Sequence, residues 1–271
     1  MEDHAAAISS WDTGISLGSL LFTLVEPHRG HEVAYNRWYE RDHFYAGCLV
    51  GPWLFAGRRW VATRELKDLR ASTDPALFGE ADLGSYLALY WVQKGRHDEH
   101  FSWALDQVKW LHANDRMFTE RDHIHTLLYK HRWTVGRDDD GVPAELALDH
   151  PFEGLVSVIV ERAAGVSDDD LAGWFTTEAR GLMAGTPAAL CIGAEPIPLP
   201  PGAPVTQPGL DGVERRSLQL WFLDEPPART WGTVFAGHDA ALEAAGVGRV
   251  RWAAPFVPTV PGTDTYTDQL W

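Results

Sequence analysis

Apolar positions recur along the chain with two periods, and the switches between them mark out its elements. Ser19–Glu26 (SLLFTLVE) is a short apolar run stopped by Pro27, which predicts a strand. In His31–Val50 the residues Val33, Tyr35, Trp38, Tyr39 and Phe44 return at helical spacing until Gly51-Pro52 ends the run. Trp53–Leu66 and Ser85–Val92 are rich in aromatic and branched side chains and predict two further strands, with Lys67–Gly84 between them as a loop. Arg96–Met117 places Phe101, Leu105, Val108 and Leu111 three or four apart, a helix, and His123–Val135 is extended again. The first half therefore reads β-α-β-β-α-β.

Gly136–Pro143 is charged and rich in turn residues, and it predicts a boundary between units at residues 1–143 and 144–271. The order then repeats. Leu155–Ala163 is a strand, Ser167 and three aspartates open a helix running to Met183, and Ala188–Ile197 is a strand. A Pro/Gly-rich loop (Pro198–Gly212), Ser217–Leu223, a helix near Ala228–Ala245, a strand near Arg249–Phe256 and a tail, Val257–Trp271, complete the chain. A shift of 136 residues lays Trp38-Tyr39 on Trp174-Phe175 and Gly57 on Gly193. The predicted class is α+β: two tandem ferredoxin-like units whose bare sheet faces pack together as one intrachain barrel, with a pocket in the gap between the sheets.

Composition narrows the partners. A formal net charge of -15 (23 Lys+Arg against 38 Asp+Glu) repels phosphate backbones and anionic headgroups, so neither nucleic acid nor membrane is expected. Two cysteines, Cys48 and Cys191, are too few for a disulfide scaffold, the start Met1-Glu2-Asp3-His4 lacks the positive charge of a leader, and no apolar run has spanning length. A soluble cytoplasmic protein is the expectation. No nucleotide-binding glycine loop, Walker loop or serine elbow occurs.

Chemistry concentrates in the first half, where ten of the twelve histidines precede residue 136. Tyr35, Tyr39 and His43 fall at i, i+4 and i+8 on one helical face, with Asn36, Trp38 and Asp42 beside them. A histidine among phenols suits proton abstraction, although a capping or core role fits the same spacing. His123 and His125 are two apart and, on a regular strand, share one face as metal pairs do, with His97 or His100 as a third ligand; no spacing fixes that ligand, and no metal is expected. Arg58 and Arg59 alternate faces, so one can reach an anionic ligand, and Tyr86 and Tyr90 share a face of their strand. Thirteen tryptophans suit an aromatic-walled pocket as well as a core.

Val25-Glu26-Pro27, Gly30-His31-Glu32 and Tyr35-Asn36-Arg37-Trp38-Tyr39-Glu40-Arg41-Asp42-His43, continuing through Gly51 and Ala56–Trp60, resemble the dimeric α+β-barrel superfamily, nearest to its EthD-like members. Phe44-Tyr45 follow the histidine where that family commonly has a proline, which predicts a different helix end. The resemblance covers about 45 residues; it implies an eight-stranded barrel and puts His43 at the pocket wall. The superfamily spans cofactor-free oxygenases, cyclases, isomerases, lyases and haem enzymes, so fold does not select the chemistry. The expectation is a cofactor-free cyclase, dehydratase, isomerase or lyase acting on a polyketide-like or aromatic carbonyl compound. His43 is its base, Tyr39 or Tyr86 the donor to the enolate, and Asp42 or Asn36 the group orienting the ring. Tyr35, Trp38, Arg58, Arg59, Tyr90, His123 and His125 are its binding residues. The alternatives are a cofactor-independent or haem-dependent monooxygenase and a non-enzymatic ligand-binding protein, and assembly as a homodimer is left open.

Overall fold

The computed structural model describes residues 14–71, 74–198, 207 and 209–271. The N-terminal residues read for a leader and most of the Pro/Gly-rich loop lie outside the described residues. Eight strands form: β1 (Leu17–Pro27), β2 (Leu54–Val61), β3 (Tyr86–Gln93), β4 (Arg121–Gly136), β5 (Gly154–Arg162), β6 (Ala188–Ile197), β7 (Arg216–Leu223) and β8 (Gly248–Pro258). They close into one antiparallel barrel within the chain, in the order β1-β3-β2-β8-β5-β7-β6-β4. Within that ring the first-half neighbours β4-β1-β3-β2 are matched by β8-β5-β7-β6 in the second half.

The two seams differ. β4 and β6 pair over eight partners, whereas β2 and β8 pair only at Trp60↔Pro258 and Val61↔Val257, where a proline has no N–H to donate. Beyond that short seam, Thr259 N donates to Arg59 O (3.1 Å), and Ala71 bridges to Ala253.

Side-chain alternation sorts each strand into an inner and an outer face. Leu20, Phe22 and Leu24 of β1 face the barrel interior with Trp60, Trp91, Trp252 and Phe222, all essentially without solvent exposure. Among the described residues the gap between the sheets, where a pocket was expected, is a packed core filled by large rings from both halves.

The helices lie outside the barrel. α1 (Glu32–Trp38) continues through two π-helical turns, Tyr39–His43 and Tyr45–Leu49, in place of the regular helix that the periodicity predicts. α4 (His97–Ala113) stands beside it, and α5 (Asp168–Met183), α6 (Pro227–Thr230) and α7 (His238–Ala245) cover the second half. Ser167 caps α5 as predicted, its hydroxyl accepting from Asp170 N while the Asp170 carboxylate accepts from Ser167 N.

The expected second strand stops at Val61, and Arg64–Asp68 is a short helix (α2). The expected loop holds another, α3 (Pro75–Phe78), whose Phe78 enters the interior cluster and stacks on Trp252 at 4.7 Å. The C-terminal tail lies over α1. Lys67 Nζ donates to Leu270 O (3.1 Å), Trp271 Nε1 donates to Glu32 Oε1 (2.7 Å), and Arg37 pairs with Asp264.

Candidate functional site

A cavity of about 530 Å³ lies on the outer face of the first-half sheet, under the helices. Its floor is the outward row of β1 (Leu21, Thr23, Val25) and of β4 (Arg121, His123, Thr126, Leu128). One wall is α4, through His97, His100, Phe101, Leu105, Val108 and His112, and the other is the π-helical stretch with Tyr39, His43, Gly47 and Cys48. The apolar stripe of α4 explains the void. Phe101, Leu105 and Val108 are only half-buried because they face open space rather than the sheet. A volume of this size takes a drug-sized ligand.

His43 lies in this wall as expected. Its ring stacks on Trp38 (4.6 Å, 17°), meets the Tyr39 ring edge-on (5.3 Å), and keeps Nδ1 buried with no partner. Gly47 makes the room: a Cβ there would sit 2.7 Å from His43 Cε1 and 2.8 Å from Nδ1. Burial, then the Arg121 guanidinium and His123, lower the His43 pKa to about 3. A general base works best with a pKa near the working pH, so this ring is poorly suited to proton abstraction.

The residues assigned to help it are engaged elsewhere. Asp42 pairs with Arg116. Asn36 donates from Nδ2 to Thr263 O (3.0 Å) and accepts from Arg59 at Oδ1 (2.9 Å), tying the tail to α1. Tyr39 OH bonds to Tyr90 OH (2.9 Å). Tyr35 and Tyr86 pack ring to ring (5.3 Å) in the core beneath α1, the Tyr86 hydroxyl without a partner. Burial raises the pKa of every one of these phenols, Tyr35 to about 12.

Arg59 faces α1 and Arg58 the barrel interior, where it lies over the Trp60 ring (4.7 Å) and donates to His150 O and Phe152 O. Their faces alternate as predicted, but neither lines the cavity.

His123 and His125 do not share a face. The register between β1 and β4 shifts between Leu24↔His125 and Val25↔His123, so Ile124 is an extra residue in a β-bulge, which resets the alternation. His123 lines the cavity, whereas His125 is inside the barrel, its Nε2 2.7 Å from Tyr129 OH. Among the described residues no cluster of three or more His, Cys, Asp or Glu side chains is placed to hold a metal ion.

His100 stands out among the cavity's histidines. It is 2% exposed, it lines the cavity, and its Nδ1–H donates to Pro52 O (2.7 Å). Burial lowers its pKa, so the ring is neutral with its lone pair on Nε2. His97, one turn earlier, bonds Ser19 Oγ through Nδ1 (2.8 Å). Gly47, Arg121 and Thr126 went unnoticed as site residues, since a glycine, a strand-end arginine and a strand threonine carry no local signal of a cavity.

No family model matches the chain, and no curated protein sequence matches it. Solved structures do. A candidate chlorite dismutase superposes with a TM-score of 0.55 at 10% identity, covering 95% of this chain and 100% of the other. A candidate monooxygenase from Fusobacterium nucleatum gives 0.51 at 7% identity, covering 90% and 94%. A DypB variant from Rhodococcus jostii in complex with haem gives 0.50 at 9% identity, covering 96% and 98%. The fold is that of the dimeric α+β barrels. Here the barrel closes within a single chain.

These neighbours overturn the expectation of a cofactor-free cyclase, dehydratase, isomerase or lyase, since they are named for dismutase and monooxygenase activities and one holds haem. The weak basicity of His43 removes the physical ground for that expectation as well. Among the described residues no helix is long and apolar enough to cross a membrane.

Proposed function

We propose that this chain is a haem-dependent oxidoreductase of the oxygenase type, with the cavity between α4 and the outer face of β1 and β4 as its site. One observation carries the reading: His100 lines the cavity with its Nδ1–H held by the Pro52 carbonyl, which leaves the lone pair on Nε2. Metal-ligating histidines almost always donate their other N–H in this way, which fixes tautomer and ring orientation. The donor set fits the group. His100 would hold the group through its imidazole, and Leu21, Val25, Phe101, Leu105, Val108 and Leu128 would supply apolar surface for a flat macrocycle. Haem would supply the one-electron and oxygen chemistry that no side chain here possesses.

The remaining roles belong to the protein. His100 anchors, and Pro52 keeps its second nitrogen from turning inward. The apolar walls exclude water, which strengthens every polar contact inside. His43, stacked on Trp38, stays uncharged at neutral pH and contributes a flat wall rather than a proton acceptor. We read the halves, residues 1–143 and 144–271, as tandem ferredoxin-like units, the first EthD-like and site-bearing. The repeated neighbour order and the position of the cavity support this reading.

Titration of the purified protein with haemin tests the proposal. Wild-type protein is expected to develop a sharp Soret band saturating at one equivalent. In His100→Ala the affinity should fall about 10- to 100-fold, the scale of losses at metal sites whose ligand shell is disturbed, and added imidazole should restore the band. No saturable band, or one indifferent to His100→Ala, sinks the haem reading and leaves the cofactor-independent monooxygenase for the same cavity.

A further inference from the structure

The floor of the cavity carries one connected polar row. Arg121, His123, Thr126 and Thr23 all line it, and their bonds run in one direction. The Arg121 guanidinium lies over the Trp38 ring (4.8 Å), donates from Nη1 to Phe118 O (3.0 Å), and places Nη2 3.3 Å from His123 Nε2. A guanidinium cannot accept, so His123 Nε2 accepts and its proton sits on Nδ1. Nδ1–H then donates to Thr126 Oγ1 (2.8 Å), and the Thr126 and Thr23 hydroxyls lie 2.8 Å apart, either able to donate to the other. Whichever donates, the proton of the other hydroxyl has no acceptor left within this row. At the other end, Arg121 Nε is buried without a partner, and no carboxylate among the described residues forms an ion pair with this arginine. Asp98, the one carboxylate lining the cavity, belongs to the first turn of α4 and makes no ion pair with Arg121.

A planar cation with unspent donors, beside a hydroxyl whose proton the network leaves over, is matched by an oxyanion. We infer that the Arg121–His123–Thr126–Thr23 row is an anchoring site for the carboxylate of an otherwise apolar ligand, whose body lies along the Phe101, Leu105 and Val108 stripe of α4. His123 acts as a positioning residue that holds the guanidinium, and the Thr126–Thr23 pair keeps one hydroxyl proton for the ligand. The carboxylate belongs either to a substrate acid or to the side chains of a tetrapyrrole. The site does not depend on haem being the cofactor.

Binding of two acid–ester pairs to the intact protein at pH 7.5 tests this, read by tryptophan fluorescence and calorimetry: 2-naphthoate against methyl 2-naphthoate, and haemin against haemin dimethyl ester. The acid is expected to bind at least about tenfold tighter than its ester in one pair or both, the scale of a charge-assisted hydrogen bond. Preference in the naphthoate pair identifies a substrate acid as the source, and preference in the haemin pair alone identifies the tetrapyrrole. Arg121→Gln should abolish the preference by weakening the acid and leaving the ester unchanged. Thr23→Val, nearly isosteric, should reduce it several-fold and covers the case in which Arg121→Gln does not fold. Equal affinities for acid and ester in both pairs, absence of binding by either pair, or a preference that survives both substitutions overturns the assignment.

Discussion

Acidification should unfold this protein through histidines that the fold keeps neutral, and His125 allows the effect to be worked through. The bulge at Ile124 turns the His125 ring into the barrel, where it meets Phe22 (5.8 Å) and Phe78 (5.1 Å) at 2% exposure. Burial, reinforced by the nearby Arg216 cation, lowers its pKa from 6.5 to about 3. Below pH 6.5 the unfolded chain takes up a proton that the native state refuses, so stability falls with falling pH and rises with rising pH across that window. One proton corresponds to about 1.36 kcal/mol per pH unit, so between pH 6.5 and 4.5 His125 removes about 2.7 kcal/mol. His238, 3% exposed against Gln219 and lowered by burial to about 4, adds a similar amount. Together they amount to about 5 kcal/mol, comparable with the whole stability of many domains. Urea unfolding followed by tryptophan fluorescence at pH 7, 6, 5 and 4.5 measures it. In His125→Gln, whose amide can still reach Tyr129 OH, stability at pH 7 should drop by about 1–3 kcal/mol. The decline between pH 6 and 4.5 should become shallower by about one proton. Parallel profiles for wild type and variant would refute the argument.

Gly47→Ala puts a methyl group against His43 and should cost about 1–3 kcal/mol while weakening cavity ligands, readable by melting and by titration. Gly193→Ala, whose Cβ would lie 2.0 Å from Trp133 in the second-half core, should destabilise at least as much yet leave the ligand affinity of the folded fraction unchanged. Lys67→Met strips the cation from Glu26, 3.7 Å away and buried with it, and should cost about 3–5 kcal/mol at pH 7; Glu26→Gln in the same background should recover most of that in a thermal melt. Burial raises the Glu26 pKa, so the penalty of Lys67→Met should shrink as the pH falls and the carboxyl takes its proton.

Much of the barrel is legible from local pattern. All eight strands overlap the apolar or aromatic and branched runs that predict them, although the second is shorter than its run, Arg58 and Arg59 take opposite faces because pleating demands it, and Ser167 caps its helix through contacts three residues long. Other features answer to distant residues. Whether His123 and His125 share a face depends on how β4 registers against β1, about a hundred residues earlier, and one bulged residue reverses the answer. The stripe Phe101, Leu105, Val108 reads the same whether it meets a core or a void; only the stand-off between α4 and the sheet makes it a cavity wall. His100 gains its meaning from the carbonyl of Pro52, and Arg121 from the absence of an ion-pairing carboxylate among the described residues; both are facts of three-dimensional neighbourhood. Hydrophobic periodicity is a property of neighbouring residues and is written in the chain, whereas register, voids and unpaired charges belong to pairs of surfaces that meet only when the barrel has closed.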